Sequence, residues 1–399
     1  MASVAEIAKK LNRAYKNDKL AIMADVIPSY KRMPCGDLGV DFPLYGGLPY
    51  GRIITVSGKE HSGKTTGACV FLAAYQRANP DKVCVYVDVE HALDKEFQSA
   101  MTGLDLTRLI YLNPEGMSGE QIMDAILEFQ DSEDIGMIVL DSIPALVSSK
   151  DYDSDMEKDN GMAGGIARPL AKFIRKMVDP LAARGNILML INQVRVVGTT
   201  FQGAAIYDEP GGHAPKFYAS VKLRFGTRTF TQGDRIDLRD GENADGFRLT
   251  FATTKNKTAS TQRGGGFMTF RYDKGLDWSF DLLEVAIKYN FIARPSSLTY
   301  MLVDLETGEP YIGEDGSELK FVGKQKLKDY LNEHIQFQNT YIEMLNRHIS
   351  INPNQYGSLL DARELAAIKA QEDSVEVNNE TPKNASAESS LFEDDEDAT

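Results

Sequence analysis

The sequence predicts an α/β fold: a mostly parallel, twisted sheet with helices on both faces, followed by a small α+β domain. Three observations predict it. Short apolar runs alternate with amphipathic stretches of helical length: 83–88 then 119–130, 137–141 then 169–183, and then 187–191. Such alternation builds a parallel sheet covered on both faces. An earlier run, 53–57, is β-branched and leads straight into Gly58-Lys59-Glu60-His61-Ser62-Gly63-Lys64-Thr65-Thr66, followed by a helix-patterned stretch at 67–77. Beyond Val221–Phe225 the runs 248–254 and 266–272 are extended and partly polar, a pattern that suits antiparallel pairing.

The chain has 399 residues, 42% hydrophobic and 26% charged, long enough for two or three domains. Cys35, Cys69 and Cys84 have no metal-type or redox spacing, which points to a reducing, intracellular compartment. Residues 1–30 lack the continuous apolar segment of a secretory signal, and no apolar run is long enough to span a membrane. The net charge of −14 is unevenly spread: residues 371–399 carry ten acidic residues against one lysine, whereas 161–230 carry ten basic against three acidic. A basic middle with an acidic tail is compatible with a nucleic-acid partner despite the overall charge.

At the N-terminus, residues 3–16 place Val4, Ile7, Leu11 and Tyr15 on one helical face, to be buried on the chain's own core or on a second copy. Residues 29–42 are irregular and read as a linker into the turn cluster 46–51. At the other end, residues 276–352 show helix, turn and helix signals at 282–287, 307–309, 314–316 and 327–349. Helical propensity persists at 360–370, and the polar acidic tail beyond has no core-forming pattern.

The segment Gly58–Thr66 fits the phosphate-loop pattern G-x-x-x-x-G-K-[ST] in its required strand–loop–helix context. Glycines let several backbone N–H groups converge at a helix N-terminus, where the dipole favours anions. Lys64 supplies charge to the outer phosphates, and the Thr65 hydroxyl can ligate Mg²⁺. Strand ends beside this loop open on the same crevice. Glu90, after 83–88, can orient a water for attack on a γ-phosphate; Asp141, ending 137–141, suits an outer ligand of Mg²⁺. Gln193, after 187–191, can sense that phosphate, and the loop 194–210 beyond it, with Arg195, Phe201 and then Gly211-Gly212, suits single-stranded nucleic acid. Lys255 and Lys257 project the same way from a strand and can clamp phosphate charge, or simply form a solvated edge.

These stretches together resemble the RecA-type DNA strand-exchange recombinases, nearer the bacterial and phage branch than the eukaryotic one. The resemblance runs from about Gly46 to about Asn352. It is carried by 46–53, the phosphate loop, Asp88-Val89-Glu90-His91-Ala92-Leu93-Asp94, Val139-Leu140-Asp141-Ser142, Ile191-Asn192-Gln193, Lys216-Phe217-Tyr218-Ala219-Ser220-Val221 and Lys255-Asn256-Lys257.

The resemblance implies a RecA-like ATPase core over 33–275, an N-terminal polymerisation arm over 1–32, a small domain over 276–352 that meets duplex DNA, and a tail over 353–399 that restrains duplex binding. It implies helical filaments on single-stranded DNA with ATP and Mg²⁺ between adjacent copies, homologous pairing and strand exchange in recombination and repair, and a cytoplasmic setting in a bacterial cell or phage-infected host. Single-strand-binding and mediator proteins enter as further partners. Glu90 activates water, Asp94 and Phe97 contact adenine, and Gln193 couples the γ-phosphate to the second DNA loop. Lys255 and Lys257 reach the neighbour's ATP, and Lys216 and Phe217 lie at the subunit interface.

Three features depart from the family pattern: His61 in place of a small hydroxyl residue, Pro169 and Pro215, and an acidic first DNA loop over 149–161. The helix after that loop keeps Arg168 and Arg175, where phosphate contact is expected. Two other readings use the same core, a hexameric helicase and a nucleotide-gated mediator. Closed rings would mark the first, and the water activator Glu90 counts against the second.

Overall fold

The computed structural model describes residues 3–16, 20–21, 30–153, 165–199, 205–226, 235–236, 246–259, 261, 263–304 and 307–349. Phe201, residues 154–161 of the acidic loop, the 360–370 stretch and the acidic tail lie outside the described residues.

Helix α1 (Val4–Ala14) starts at Ser3, whose side chain and that of Glu6 cap each other's backbone N–H. On its apolar face Ile7, Leu11 and Tyr15 are exposed, so the described chain leaves that face uncovered.

The linker expected at 29–42 is instead core from Met33 onward. Strand β1 (Arg32–Met33), helix α2 (Leu38–Asp41) and strand β2 (Leu48–Pro49) form one compact segment, with β1 and β2 paired antiparallel. Met33, Cys35, Val40, Leu44 and Leu48 are fully buried. Two carboxylates make this possible. Asp37 accepts from Gly39 N at the start of α2, and Asp41 accepts from Cys35 N and Gly36 N. Buried turns are tolerated when their N–H groups are satisfied this way. Residues that read as linker punctuation are therefore the segment's internal hydrogen-bond partners.

The predicted alternation then follows: β3 (Ile53–Gly58), α3 (Lys64–Ala78), β4 (Val83–Asp88), α4 (Lys95–Thr102), β5 (Leu109–Leu112), α5 (Gly119–Asp131), β6 (Ile135–Asp141), a short α6 (Ser149–Tyr152), α7 (Ala167–Arg184) and β7 (Ile187–Gln193). A hairpin of β8 (Arg195–Thr199) and β9 (Ala205–Asp208) leads to α8 (Ala214–Tyr218), β10 (Val221–Phe225), β11 (Arg235–Ile236), β12 (Gly246–Asn256), β13 (Gly265–Arg271) and β14 (Gly275–Leu276). The main sheet runs β14-β13-β12-β10-β3-β7-β6-β4-β5, with β11 paired to β12. It is parallel from β10 to β5 and antiparallel from β10 outward to β14.

Two cores cover the faces of this sheet. One packs α3 with β1, β2 and the antiparallel extension; the other packs α5 and α7. Strands β3 and β6 are buried along their whole length, as expected for strands covered on both faces. Helix α3 lies close because Gly67 faces the Phe225 ring, where a Cβ would come within 2.7 Å. Pro169 falls in the first turn of α7 and Pro215 at the start of α8. An N–H at either position would have no intrahelical acceptor, so the prolines cost no helix hydrogen bond and both departures are harmless to the fold.

The C-terminal part consists of α9 (Trp278–Lys288), β15 (Ile292–Ala293), β16 (Thr299–Leu302), β17 (Lys320–Val322), α10 (Lys324–Glu333) and α11 (Ile335–Ile349). The three strands form their own antiparallel sheet. Its core also includes Leu38 from α2 and Phe42, which follows it. Among the described residues no helix is long and apolar enough to cross a membrane.

Candidate nucleotide site

The parallel strands bring their C-terminal ends to one edge. Gly58 at the end of β3 lies in register with Gln193 on β7, and Asp88 on β4 with Asp141 on β6. The phosphate loop leaves β3 at this edge. Gly63 turns into α3 at φ 76°, and a Cβ on Gly58 would lie 2.3 Å from Ser62 Oγ. Both positions therefore require glycine. His61 occupies the exposed tip at φ 56°, its side chain 89% exposed beside Glu60. Its ring points to solvent, so the loop accommodates a large residue there.

Beside the loop lies a cleft of about 930 Å³. Its lining includes Glu60 through Thr66, Glu90, Phe97, Asp141 and Gln193. Thr65 Oγ1 donates to Asp141 Oδ2 at 2.8 Å, and Tyr86 Oη donates to the same oxygen at 2.6 Å. Burial raises the Asp141 carboxyl above its ordinary range; the Tyr86 and Thr65 hydrogen bonds oppose the shift. Lys64 Nζ donates to the Lys59 carbonyl at 2.8 Å. Burial lowers its pKa, while Asp141, Glu90 and Glu60 counteract. A site with these carboxylates around one lysine suits a cation as well as phosphate. No cluster of three or more metal-ligating side chains occurs among the described residues. The donor set is thus one hydroxyl and one carboxylate, which fits Mg²⁺ shared with phosphate oxygens rather than a protein cage.

Glu90 receives two donors on Oε1: Ser142 Oγ in a short contact, and Gln193 Nε2 at 3.0 Å. Ser142, named in the sequence only as part of the motif 139–142 and given no role there, is therefore part of the arrangement. Gln193 is the last residue of β7 and is followed one residue later by the β8–β9 hairpin. Asn192 closes the base of that connection, donating from Nδ2 to Pro210 O at 2.9 Å.

Of the two expected adenine contacts, Phe97 lines the cleft and Asp94 does not. Asp94 caps α4, accepting from Phe97 N at 2.9 Å, and so orients the helix that carries Phe97. Sequence reading missed two further aromatic residues of the lining, Phe247 and Tyr272, whose rings are 5.7 Å apart. They come from β12 and from the residue just after β13, and only sheet pairing brings them to Phe97. The alternation of apolar residues along those strands was visible; its destination was not.

The remaining residues fall in two groups. Arg168 and Arg175 are exposed on one face of α7, seven residues apart. The start of α7 adjoins Gly212, where a Cβ would lie 3.2 Å from Ala167 Cβ. Gly211 has φ 91° and sits against Ile143 and Leu170. These two glycines therefore answer first to backbone geometry. Arg195 is exposed on β8. The second group is away from the cleft lining. Lys255 Nζ donates to the carbonyls of Lys216 (2.6 Å) and Phe217 (3.0 Å), and Lys257 Nζ to that of Phe217 (2.7 Å). Burial, and then the nearby Lys257 and Lys222, lower the Lys255 pKa. Phe217 is 67% exposed at this cluster.

A parallel sheet with a phosphate loop and an adjoining hydroxyl–carboxylate pair defines a P-loop nucleotide-binding protein. A family model described as the RecA N-terminal domain matches residues 3–277, and the chain belongs to the RecA family. It is similar to Protein RecA of Sulfurimonas denitrificans, 30% identical over 332 residues that make up 82% of this chain and 90% of the relative. Protein RecA of Frankia alni is 30% identical, covering 86% of this chain and 92% of its own, and that of Salinispora arenicola is 32% identical, covering 76% and 78%. The chain is accordingly a RecA-type recombinase, of the class that serves DNA recombination and repair.

Proposed function

We propose that this chain hydrolyses ATP with Mg²⁺ in a filament on single-stranded DNA, and that the terminal phosphate sets how firmly the filament holds DNA. The hydrogen bond from Gln193 to Glu90 carries this reading. It joins the water-activating carboxylate to the strand that opens into the DNA-facing hairpin.

Within the cleft the roles divide by chemistry. Backbone N–H groups of Gly58 through Thr66 and the Lys64 ammonium hold the phosphates. Thr65 and Asp141 are the residues that would hold Mg²⁺, which when bound neutralises phosphate charge. Glu90 accepts a proton from the attacking water, while Ser142 and Gln193 fix its orientation. Phe97, Phe247 and Tyr272 offer a flat apolar seat for a base, and Asp94 steadies it through the α4 cap.

Lys255 and Lys257 cluster with Lys216 and Phe217 outside the cleft lining of their own chain. This placement supports action on the neighbour's nucleotide. The uncovered face of α1 supports its role as a polymerisation arm. Arg168, Arg175, Arg195 and the loop holding Phe201 are the single-strand contacts. Residues 276–352 meet duplex DNA, and the acidic tail opposes that contact. The reading places the protein in the cytoplasm of a bacterial cell or phage-infected host; single-strand-binding and mediator proteins are its natural partners there.

The test is ATP turnover with and without single-stranded DNA, in the wild type and in Lys64→Ala. DNA should stimulate the wild type several-fold, and the variant should be inert. If turnover ignores DNA, the proposal is wrong.

A further inference from the structure

We infer that Tyr207 is a second coupling point between the nucleotide loop and the DNA-facing hairpin, a positioning residue acting alongside Gln193. The inference rests on the proposed function and names a residue that function leaves out. Tyr207 lies on β9, opposite Val196 of β8. Its ring is 5.5 Å from Lys59 Nζ and 5.5 Å from the Arg224 guanidinium. Lys59 belongs to the phosphate loop, and its carbonyl accepts from Lys64 Nζ. Arg224 is on β10, in register with Ser57 immediately before that loop. One aromatic ring of the hairpin thus lies between a cation of the phosphate loop and a cation of β10.

The flanking contacts show that this is a built joint. Asp208 pairs with Lys216, and Glu209 pairs with Lys222 at 3.0 Å, with both side chains of the second pair largely buried. Tyr207, Asp208 and Glu209, the residue after β9, therefore each meet a cation on the phosphate loop, β10 or α8. The Lys216 contact pulls Asp208 below the ordinary carboxylate range, so this anchor is charged at neutral pH. Glu209 and Lys222 stand opposite each other across the same joint.

The physical consequence is a competition. The face of an aromatic ring attracts a cation through its quadrupole. A triphosphate in the loop attracts the Lys59 ammonium far more strongly than a ring does, because both charges are formal. When Lys59 turns to phosphate, the ring loses one of its two cations and the hairpin is freer to reorient toward a DNA strand. With a diphosphate the pull is weaker and the ring keeps its cation. Nucleotide state is then read twice: by Gln193 through the hydrolytic carboxylate, and by Tyr207 through the loop's own lysine. Any such device works only through its differential interaction with the two states.

The experiment measures the full-length protein's affinity for a labelled single-stranded oligonucleotide, once with ADP and once with a slowly hydrolysed ATP analogue. The readout is the ratio of the two dissociation constants. Tyr207→Phe keeps the ring and should keep the ratio. Tyr207→Ala should shrink it about three- to tenfold, the scale of one to two cation–ring contacts. Lys59→Ala should shrink it as well, and the double variant should be no worse than the stronger single one. Affinity for a fluorescent ADP analogue should be unchanged in Tyr207→Ala. A full ratio in Tyr207→Ala overturns the inference and leaves the proposed function standing. So does an equal loss in Tyr207→Phe, which would assign the effect to the hydroxyl. A wild-type ratio of one overturns the proposed function and this inference with it.

Discussion

Glu90 takes hydrogen bonds from Ser142, the residue after β6, and from Gln193 on β7. A carboxylate held by two donors from separate parts of the chain has one orientation toward the cleft, which a water activator requires. Glu90→Gln removes the proton acceptor and keeps the shape. ATP turnover should fall by about two to three orders of magnitude, while affinity for a fluorescent ATP analogue stays within about twofold and filaments persist. Stopped-flow binding and steady-state turnover measure the two separately. Prompt disassembly with ATP would contradict the role given to Glu90. At this scale the phosphate loop, Glu90, Asp141 and Gln193 were legible because each sits at a fixed offset from a strand end. Ser142, Phe247 and Tyr272 were not, because their part depends on neighbours set by folding.

Helix α2 was hidden because its turns are satisfied by its own carboxylates, which look like loop residues in a sequence. Asp37 of this segment meets Asp281 of α9, and both are fully buried. Among the described residues, Asp37 Oδ2 and Asp281 Oδ1 have no other partner. Burial, then the opposing carboxyl, raises Asp37 well above its ordinary range, and burial pushes Asp281 up to about 6. One proton shared between them satisfies both oxygens and joins α2 to α9. Arg248 on β12 favours the ionised form of Asp281, and Asp41 disfavours that of Asp37. Arg248 is itself paired with Glu284 of α9, which also takes Lys324.

A folded state that keeps a proton the unfolded chain releases is stabilised fully below the unfolded value near 4, and loses that stability progressively as pH rises from there toward the raised folded values of the pair. Asp37→Asn supplies the same hydrogen bond without a titrating proton. Its denaturant midpoint should therefore fall less than the wild type's between pH 5 and 7.5, by more than about 1 kcal/mol of difference. Parallel profiles for the two proteins would remove the shared proton from the account.

For the whole molecule, charge and symmetry decide the behaviour. The tail over 371–399 carries about nine net negative charges against a basic middle. Deleting it should tighten duplex DNA binding, with the gain shrinking as salt is raised, since both terms are screened. Equal affinities across a salt series would refute the tail's role. The fold class and strand alternation could be read from the sequence because periodicity is local. The packing of α2 on α9 could not, since it joins residues more than two hundred positions apart.

Open assembly follows when one face of a copy meets a different face of the next. In the proposed filament the lysine cluster at Phe217 and the cleft with Glu90 would be two such faces on one chain. The most direct test mixes two inactive proteins, Glu90→Gln and the double variant Lys255→Ala/Lys257→Ala, and measures DNA-stimulated ATP turnover. The double variant offers an intact cleft and the other intact lysines, so a mixed filament contains complete sites. At equal amounts about a quarter of the wild-type turnover should return, the share of seams with a sound cleft facing sound lysines. A mixture no more active than the average of its two components would show that the nucleotide is not shared between copies.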